Sequence, residues 1–584
     1  MAASIPNAGA RYVGSNSCRE CHGDISGSYQ NHPMAHSLMT VSTATSAEDF
    51  SHPEFRSAAN TTYGVEKAGT EIWHHEIRRN ERGELIYDRR VPVHFAVGSG
   101  ARGRSYLINL DGRLFQSPIT WYTEGTKFDL SPGFVPGDHP GFDRRVNHAC
   151  LSCHAGVSVP HESDPDRFGD PPFAEEAIGC ERCHGPASDH VEYHRKPGPL
   201  RPSSEDPIVN PGNLSPALQD AVCNQCHLQG QRRVLRPGRT ELDFRPGMNL
   251  SDIWTTILKT KGVESGVADA VSQVEQMHSS VCFQKSEGRM TCTSCHDPHD
   301  YPTANQKHDF YRSACLKCHD AVSTECSEQQ SLRQAENDAC IACHMPHFGA
   351  ADVHSSQTDH RILRKPERGR AEQTSALLRP NELQFFREPG MTPEQETEDR
   401  AAAIFMAETG YVHQTDAASR YAVKILTPNR LEEATDSEGL VSLGKAYLQL
   451  GRKQDASDSL LRATELSPRN EEIYELLATA AHEANQLTKA RQYYEKLISL
   501  NPNRARYHGR YAHVLGQSGD LNASVRAGER ALELDPSLLQ THDWLVQMYQ
   551  LLGDAANANR HQRQLEMFRT SAPDSETGKK SIAP

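Results

Sequence analysis

The feature that most constrains this chain is a short motif, Cys-x-x-Cys-His, that occurs seven times before residue 345. Fourteen of the 16 cysteines belong to it. A pattern repeated so often within one region has a common chemical cause. In chain order, motifs 1 to 7 are Cys18/Cys21/His22, Cys150/Cys153/His154, Cys180/Cys183/His184, Cys223/Cys226/His227, Cys292/Cys295/His296, Cys315/Cys318/His319 and Cys340/Cys343/His344.

Three chemistries use a Cys-x-x-Cys pair, and the trailing histidine separates them. Zinc takes two such pairs, or one pair and two distant histidines. A thioredoxin-like site needs one pair in a βαβ unit. A c-type haem needs two thiols and a histidine beneath its iron. We therefore predict seven c-type haems, with the motif cysteines as covalent anchors and the motif histidines as proximal ligands; zinc ribbons and a disulfide array remain the alternatives.

The other axial position of each iron decides what a haem does. A second histidine gives a closed, low-potential haem, methionine raises the potential, and an empty position opens a substrate site. The same region holds 17 histidines outside the motifs, enough for seven bis-histidine haems. A histidine as close to its motif as His148, His299 or His347 can reach only a neighbouring haem. The predicted distal ligands are His36 (with His32 and Met34 as rivals), His75, His94, His148, His190, His278, His299, His354 and His360.

The net charge and the hydropathy limit the classes of partner that the protein can bind. The net charge of -14 argues against nucleic acid, which requires clustered lysine and arginine. The longest strongly apolar run, residues 401–407, is too short for a transmembrane helix. Redox partner proteins are the expected partners, and the oligomeric state is left open.

Cysteine chemistry also indicates the compartment. Covalent c-haem is attached outside the cytoplasmic membrane, so we expect a periplasmic or extracellular protein, although residues 1–10 lack the features of a secretory signal. Two cysteines, Cys282 and Cys326, lie outside the motifs. Because unpaired thiols oxidise in such a compartment, we predict a disulfide between them, with two separate buried thiols as the alternative.

The predicted fold is mainly α, with a haem-dense, loop-rich domain over residues 1–365 that contains a small β insert at about 60–125. Residues 93–99 and 105–110 read as strands, and Asp111-Gly112 reads as a hairpin turn. Few long regular elements fit between the later motifs, so the haems themselves are expected to form much of the core.

The C-terminal part shows a different pattern. Residues 366–395 read as a linker, and prolines at 468, 502 and 536 recur every 34 residues, the length of a tetratricopeptide repeat. An α-solenoid of such repeats is predicted over 396–570, with a disordered tail at 571–584. Gly528 departs from the repeat pattern, because a large apolar residue is usual there.

The ordered set "YVGSNSCRECH", "VGSGARGRSYL", "GCERCHGP", "VCNQCHLQGQ", "MTCTSCHDPH", "CIACHMPH" and "TDHRI", followed by the repeats, resembles the multihaem c-type cytochromes with a cytochrome c554-like haem region. Such proteins occur in planctomycetes and acidobacteria. The resemblance implies electron transfer and a haem arrangement shared with nitrite reductases and hydroxylamine oxidoreductases. The Cys-x-x-Cys-Lys attachment of pentahaem nitrite reductases is absent from the sequence, which counts against that specific chemistry.

Three functions fit these features. The leading prediction is an electron conduit through seven haems, with the repeats docking a redox partner. The second is an oxidoreductase in which one open haem, for which motif 1 is the first candidate, acts on a small nitrogen or sulfur compound. The third is a scaffold that binds partners through the concave repeat surface.

Overall fold

The computed structural model of the protein describes residues 9–44, 47–58, 61–137, 139–196, 205–258, 272–319, 326, 328–350, 353–364, 378–392, 394–427 and 436–569. The predicted tail at 571–584 and residues 366–377 of the predicted linker lie outside this set.

Ten antiparallel strands fill the interval between motifs 1 and 2. They form a four-stranded sheet, β2-β3-β4-β5, and a six-stranded sheet in the order β1-β6-β7-β8-β10, with β9 also paired to β8. Tyr106, Ile119 and Trp121 are buried at the centre of their core. The strands are β1 (Leu38–Thr40), β2 (Glu54–Ala58), β3 (Thr61–Ala68), β4 (Glu71–Arg79), β5 (Leu85–Val93), β6 (Phe95–Val97), β7 (Gly103–Leu110), β8 (Arg113–Tyr122), β9 (Lys127–Leu130) and β10 (Arg144–Val146).

The predicted hairpin is confirmed, and the predicted size of the insert is too small. Strands β7 and β8 pair from Leu110 and Arg113, and Asp111 and Gly112 turn with φ of 53° and 76°. The insert runs from about 38 to 146 rather than 60 to 125. The four-stranded sheet could not be predicted from the sequence pattern. The inward positions of β4 include the buried polar residues His74 and Glu76, which interrupt the alternation of apolar and polar side chains.

Short helices carry residues of six motifs, motif 5 begins on a 3-10 turn at Cys292–Ser294, and three hairpins lie outside the motifs. The helices are α1 (Ser15–Arg19), α2 (Gly23–Tyr29), α3 (His148–His154), α4 (Glu181–His184), α5 (Ser188–Arg195), α6 (Pro216–His227), α7 (Gln273–Ser279), α8 (Val281–Lys285), α9 (Lys307–Leu316), α10 (Gln330–Ala335) and α11 (Cys340–His344). The hairpins are β11 (Val157–His161) with β12 (Asp164–Glu175), β13 (Arg232–Leu235) with β14 (Trp254–Ile257), and β15 (His347–Ala350) with β16 (Val353–Thr358).

The C-terminal part is a series of helix pairs, as the repeat period predicts. Gly528 fits this packing because a Cβ there would lie 2.8 Å from the Leu545 side chain. Within the described ranges, no helix has both the length and the apolar character needed to cross a bilayer. The pairs are α12 (Gln395–Val412) with α13 (Asp416–Leu426), α14 (Ser437–Gln449) with α15 (Lys453–Leu466), α16 (Glu471–Glu483) with α17 (Leu487–Leu500), α18 (Ala505–Gln517) with α19 (Leu521–Leu534), and α20 (Leu539–Leu551) with α21 (Ala555–Arg569).

The described part of the predicted linker packs against the motif region. The Phe386 amide donates to the Thr256 carbonyl at 2.9 Å, and the Leu258 amide donates to the Gln384 carbonyl at 2.7 Å. One apolar cluster also joins Val234 of β13 to Leu440 of the repeats. The repeats therefore share a core with the motif region.

A buried carboxylate makes a second connection between the two parts. Glu471, at the start of α16, lies 3.3 Å from the Arg113 guanidinium of β8 and 3.5 Å from that of Arg145 in β10. Within the repeats it accepts hydrogen bonds from Tyr507 Oη at 2.9 Å and Asn501 Nδ2 at 3.2 Å. Its side chain is 1% exposed, so these groups replace all of its water contacts.

Candidate haem-binding sites

Each motif is built on about one helical turn. In motif 1 the His22 amide donates to the Cys18 carbonyl at 2.9 Å, and the corresponding bond in motif 5, from His296 to Cys292, is 3.0 Å. Residues three and four positions apart lie on one face of a turn. The turn thus presents two thiols and an imidazole to the same side, which is the arrangement that a covalently attached haem needs.

Thiols of different motifs lie close together. Four pairs of thiols are close enough for one to shift the pKa of the other, and they link motif 1 to 3, 2 to 4, 4 to 5 and 6 to 7 through Cys18 and Cys180, Cys153 and Cys226, Cys223 and Cys292, and Cys315 and Cys340. Two further pairs are close enough for the charge of one thiol to raise the pKa of the other, Cys183 beside Cys223 and Cys295 beside Cys318. The seven motifs therefore form one connected cluster.

Motif 1 belongs to that cluster despite its distance along the chain. The amides of Val13 and Gly14 donate to the Glu181 carboxylate at 3.0 and 2.7 Å, and the Cys180 amide donates to Ser15 Oγ at 3.0 Å. These bonds tie the segment before Cys18 to motif 3. The ten-stranded insert loops out between them without separating the two motifs.

Three motif histidines face one of the predicted distal histidines. The ring centres are 6.3 Å apart for His22 and His190, 6.0 Å for His184 and His299, and 6.3 Å for His296 and His360. The ring planes within each pair differ by only 21°, 16° and 24°. His299 faces the histidine of a motif other than the nearest one in sequence, as the spacing argument requires, and His360 does the same.

In several of these histidines Nδ1 donates a hydrogen bond to a backbone carbonyl, which leaves Nε2 available to bind a metal. His184 donates to the Val209 carbonyl at 2.9 Å, His344 to the Leu363 carbonyl at 2.7 Å, and His360 to the Thr358 carbonyl at 2.9 Å. A proton held on Nδ1 leaves the Nε2 lone pair available. In addition, burial lowers the pKa of His296 to about 4, which keeps the ring in the neutral form that coordinates metal.

Motif 6 departs from this arrangement at its predicted proximal ligand, His319. The His319 amide donates to the Cys315 carbonyl at 3.0 Å, so the backbone turn is the same as in the other motifs. Its side chain, however, is exposed, and the ring makes no hydrogen bond, ion pair or ring contact with the described part of the chain. Unlike His184 and His344, His319 is thus not oriented by a hydrogen bond to any described residue, and its role as an iron ligand stays a prediction.

Two other predicted distal histidines carry a buried nitrogen without a partner. Nε2 of His148 and Nε2 of His278 make no hydrogen bond within the described part of the chain. Burial lowers the pKa of His278 to about 4, so that ring is neutral. A buried, neutral and unsatisfied Nε2 is what a distal ligand would show before its metal is in place.

Three predicted distal histidines have bonds that disfavour iron binding. His75 pairs with Asp88 at 2.9 Å through Nδ1 and with Glu66 at 3.1 Å through Nε2, so both nitrogens are engaged. His94 accepts a bond from the Asn109 amide at Nδ1, which leaves its proton on Nε2. Nε2 of His36 lies 2.7 Å from the Gln30 carbonyl. The side chain of His354 lies outside the described residues.

Cys282 and Cys326 are both free thiols in the structure. Burial and the neighbouring Cys318 thiol raise the pKa of Cys282, whereas Cys326 is one of the groups that raise the pKa of Cys343. The disulfide stays a prediction.

One residue at these sites was not predicted, Asp206. Its carboxylate lies 2.6 Å from His190 Nδ1 and 2.8 Å from His194 Nε2. Partial burial raises its pKa, but the bonds from the two histidines bring it below the usual value overall. The surrounding sequence, "SSEDPIVNP", has no periodicity that would have marked it.

Family models match two separate parts of the chain, one among the Cys-x-x-Cys-His motifs and one among the helix pairs. The model "Cytochrome c554 and c-prime" matches residues 138–185. Models of the tetratricopeptide repeat match residues 441–505 and 505–538.

A curated relative and several solved structures are each similar to part of the chain. The TPR repeat-containing thioredoxin TTL4 of Arabidopsis thaliana is 38% identical over 68 residues, 12% of this chain and 10% of that protein. The chain thus spans a tenth of that relative's length. A MamA structure from MSR-1 is 21% identical over 29% of this chain and 98% of its own, with a TM-score of 0.26, and one from Desulfovibrio magneticus RS-1 is 21% identical over 30% and 98%, with a TM-score of 0.27. The chain therefore combines a cytochrome c554-like segment with C-terminal tetratricopeptide repeats.

Proposed function

We propose that the protein binds seven c-type haems and carries electrons between periplasmic or extracellular redox partners. The observation that supports this most strongly is the set of three facing histidine pairs, with ring centres 6.0 to 6.3 Å apart. Two axial imidazoles on one iron have ring centres about 6 Å apart, because each metal–nitrogen bond is about 2 Å and each ring nitrogen lies about 1 Å from its centre. When bound, haem iron supplies reversible one-electron chemistry.

The packing of the motif helices supports covalent haem in a different way. Helices α1, α9 and α11 carry cysteines of motifs 1, 6 and 7, and none of them buries a residue. A helix of 5 to 10 residues is marginal without tertiary contacts. A porphyrin attached to such a helix would supply the missing apolar surface, which fits the prediction that the haems form part of the core.

The thiol contacts give the sites an order. Motifs 3, 4 and 5 lie in the middle, motif 1 adjoins 3, motif 2 adjoins 4, and motifs 6 and 7 follow 5. Exposed motif cysteines occur only toward the ends of this order, at Cys21, Cys150, Cys318 and Cys343. Electrons would thus enter and leave through motifs 1, 2, 6 or 7, and the repeats would dock a redox partner protein beside one of them.

The position of His190 opposite His22 counts against motif 1, the first candidate for an open catalytic haem. The ferric protein is expected to show only low-spin haem by electron paramagnetic resonance. A high-spin component that binds nitrite or hydroxylamine would instead support the oxidoreductase.

Replacing His299 with alanine is expected to convert one low-spin haem into a high-spin haem. The reason is that His299 is the only described histidine facing His184, so the distal position of motif 3 would lose its ligand. Electron paramagnetic resonance of the ferric variant measures the change, and added imidazole should reverse it. His75→Ala is the matched control, since both nitrogens of His75 bond carboxylates. Equal spectra for the two variants would contradict the assignment.

A further inference from the structure

The environment of His190 differs from that of the other facing histidines. His184 and His360 hold Nδ1 on neutral backbone carbonyls, and Nδ1 of His299 is 4.0 Å from the Asp297 carboxylate. His190 instead has a carboxylate, that of Asp206, at 2.6 Å from Nδ1. Among the described residues, the His22–His190 pair is thus the only one of the three facing pairs in which a carboxylate lies within hydrogen-bonding distance of a ring nitrogen.

Asp206 is itself fixed by a second histidine. His190 and His194 are four residues apart on α5 and therefore lie on the same side of the helix. Their rings meet edge to face with centres 4.7 Å apart, and the second carboxylate oxygen of Asp206 lies 2.8 Å from His194 Nε2. The Asp206 side chain is 17% exposed and that of His190 18%, whereas His194 is 55% exposed. The carboxylate thus bridges an inner ring and an outer ring.

A carboxylate at Nδ1 acts on a metal ligand in two ways. It holds the proton on Nδ1, which fixes the tautomer and the ring orientation, and it makes Nε2 a stronger electron donor. A stronger donor stabilises ferric iron more than ferrous iron, so the reduction potential falls. A backbone carbonyl carries no net charge. It also holds the proton on Nδ1, but it strengthens Nε2 as an electron donor much less.

We propose that Asp206 is a positioning residue that orients His190 and makes the haem of motif 1 the lowest in potential of the three with facing histidines. This inference rests on the proposed function, because it takes His190 as the distal ligand of motif 1. It adds a functional difference between sites that the sequence presents as equivalent. It also makes motif 1 the last of the three to accept an electron during reduction.

The test is a spectroscopic redox titration of the full haem-loaded chain with Asp206→Asn, which keeps the shape of the side chain and removes its charge. The expected result is an unchanged haem count, an unchanged low-spin spectrum, and the lowest-potential component moved to higher potential. His194→Gln is the matched control: it leaves the Asp206–His190 bond in place, so its shift should be smaller. Identical titrations for the wild-type chain and Asp206→Asn would overturn the inference.

A further variant separates this inference from the proposed function. His190→Ala should produce one high-spin haem. If it does not, His190 is not an axial ligand, and both the assignment of motif 1 and the role of Asp206 fail. If it does, while Asp206→Asn leaves every potential unchanged, only the role of Asp206 fails.

Discussion

Replacing Cys292 and Cys295 together with serine is expected to lower the haem content from seven to six per chain and to divide the electron path. The two thiols are the proposed covalent anchors of motif 5, and no other described cysteine lies at that turn. Motif 5 also connects the two halves of the cluster, because Cys292 lies beside Cys223 of motif 4 and Cys295 lies beside Cys318 of motif 6.

The measurement is haem content by the pyridine haemochrome assay, followed by stopped-flow reduction. Wild type should be reduced as one connected set, whereas the variant should show a second, slower phase for motifs 6 and 7. Cys282→Ser is the control, because Cys282 lies outside the motifs and should leave both the count and the kinetics unchanged. Seven haems in the double variant would show that motif 5 is not an attachment site.

Replacing Glu471 with alanine is expected to lower the free energy of unfolding by about 3 to 5 kcal/mol, the usual cost of removing one partner from a buried ion pair. Alanine would leave the buried Arg113 guanidinium with Asp164 as its remaining partner, at 2.8 Å, and would remove an acceptor from Tyr507 and Asn501. Because this cluster joins β8 to the repeats, the effect should extend to both parts of the chain.

Chemical denaturation followed by circular dichroism and by haem absorbance measures this change. The neighbouring Glu472 pairs with Lys445 at 2.7 Å but has a side chain 52% exposed, so Glu472→Ala should cost at most about 1 kcal/mol. A loss of stability no larger for Glu471→Ala than for Glu472→Ala would contradict the claim that the repeats are joined to the motif region through a buried charge.

The elements that sequence alone could predict are those set by local chemistry. The β7–β8 hairpin follows from Asp111-Gly112, which supply the positive φ angles of the turn. The helix pairs follow from a 34-residue period and from small residues such as Ala456 and Ala490, which are fully buried. Each of these two signals comes from residues that lie within a few dozen positions of one another in the sequence.

The features that sequence alone could not predict depend on contacts between distant segments of the chain. His75 and His190 looked equally suitable as ligands, and only tertiary hydrogen bonds show that the first is tied up by two carboxylates. Glu471 reads as an ordinary acidic residue at a helix start, because its partner Arg113 lies 358 residues earlier. Asp206 likewise acquires its role only when its loop folds against α5.

The seven motif histidines show the same limit. The motif makes His184 and His319 look equivalent, because both follow the second cysteine directly. Only the fold distinguishes them: Nδ1 of His184 is held by the Val209 carbonyl, 25 residues away, whereas the exposed ring of His319 has no such partner among the described residues. Local sequence therefore predicts which side chains could bind a haem, and tertiary contacts decide which of them are oriented for it.

The central claim, that every Cys-x-x-Cys-His motif anchors a haem, is tested most directly by the haem-to-protein ratio. The protein would be produced in a host that attaches c-type haem, and haem would be measured as the pyridine haemochrome against protein from amino-acid analysis. Seven haems per chain are expected. A ratio below seven in fully matured protein, or zinc in place of haem, would contradict it.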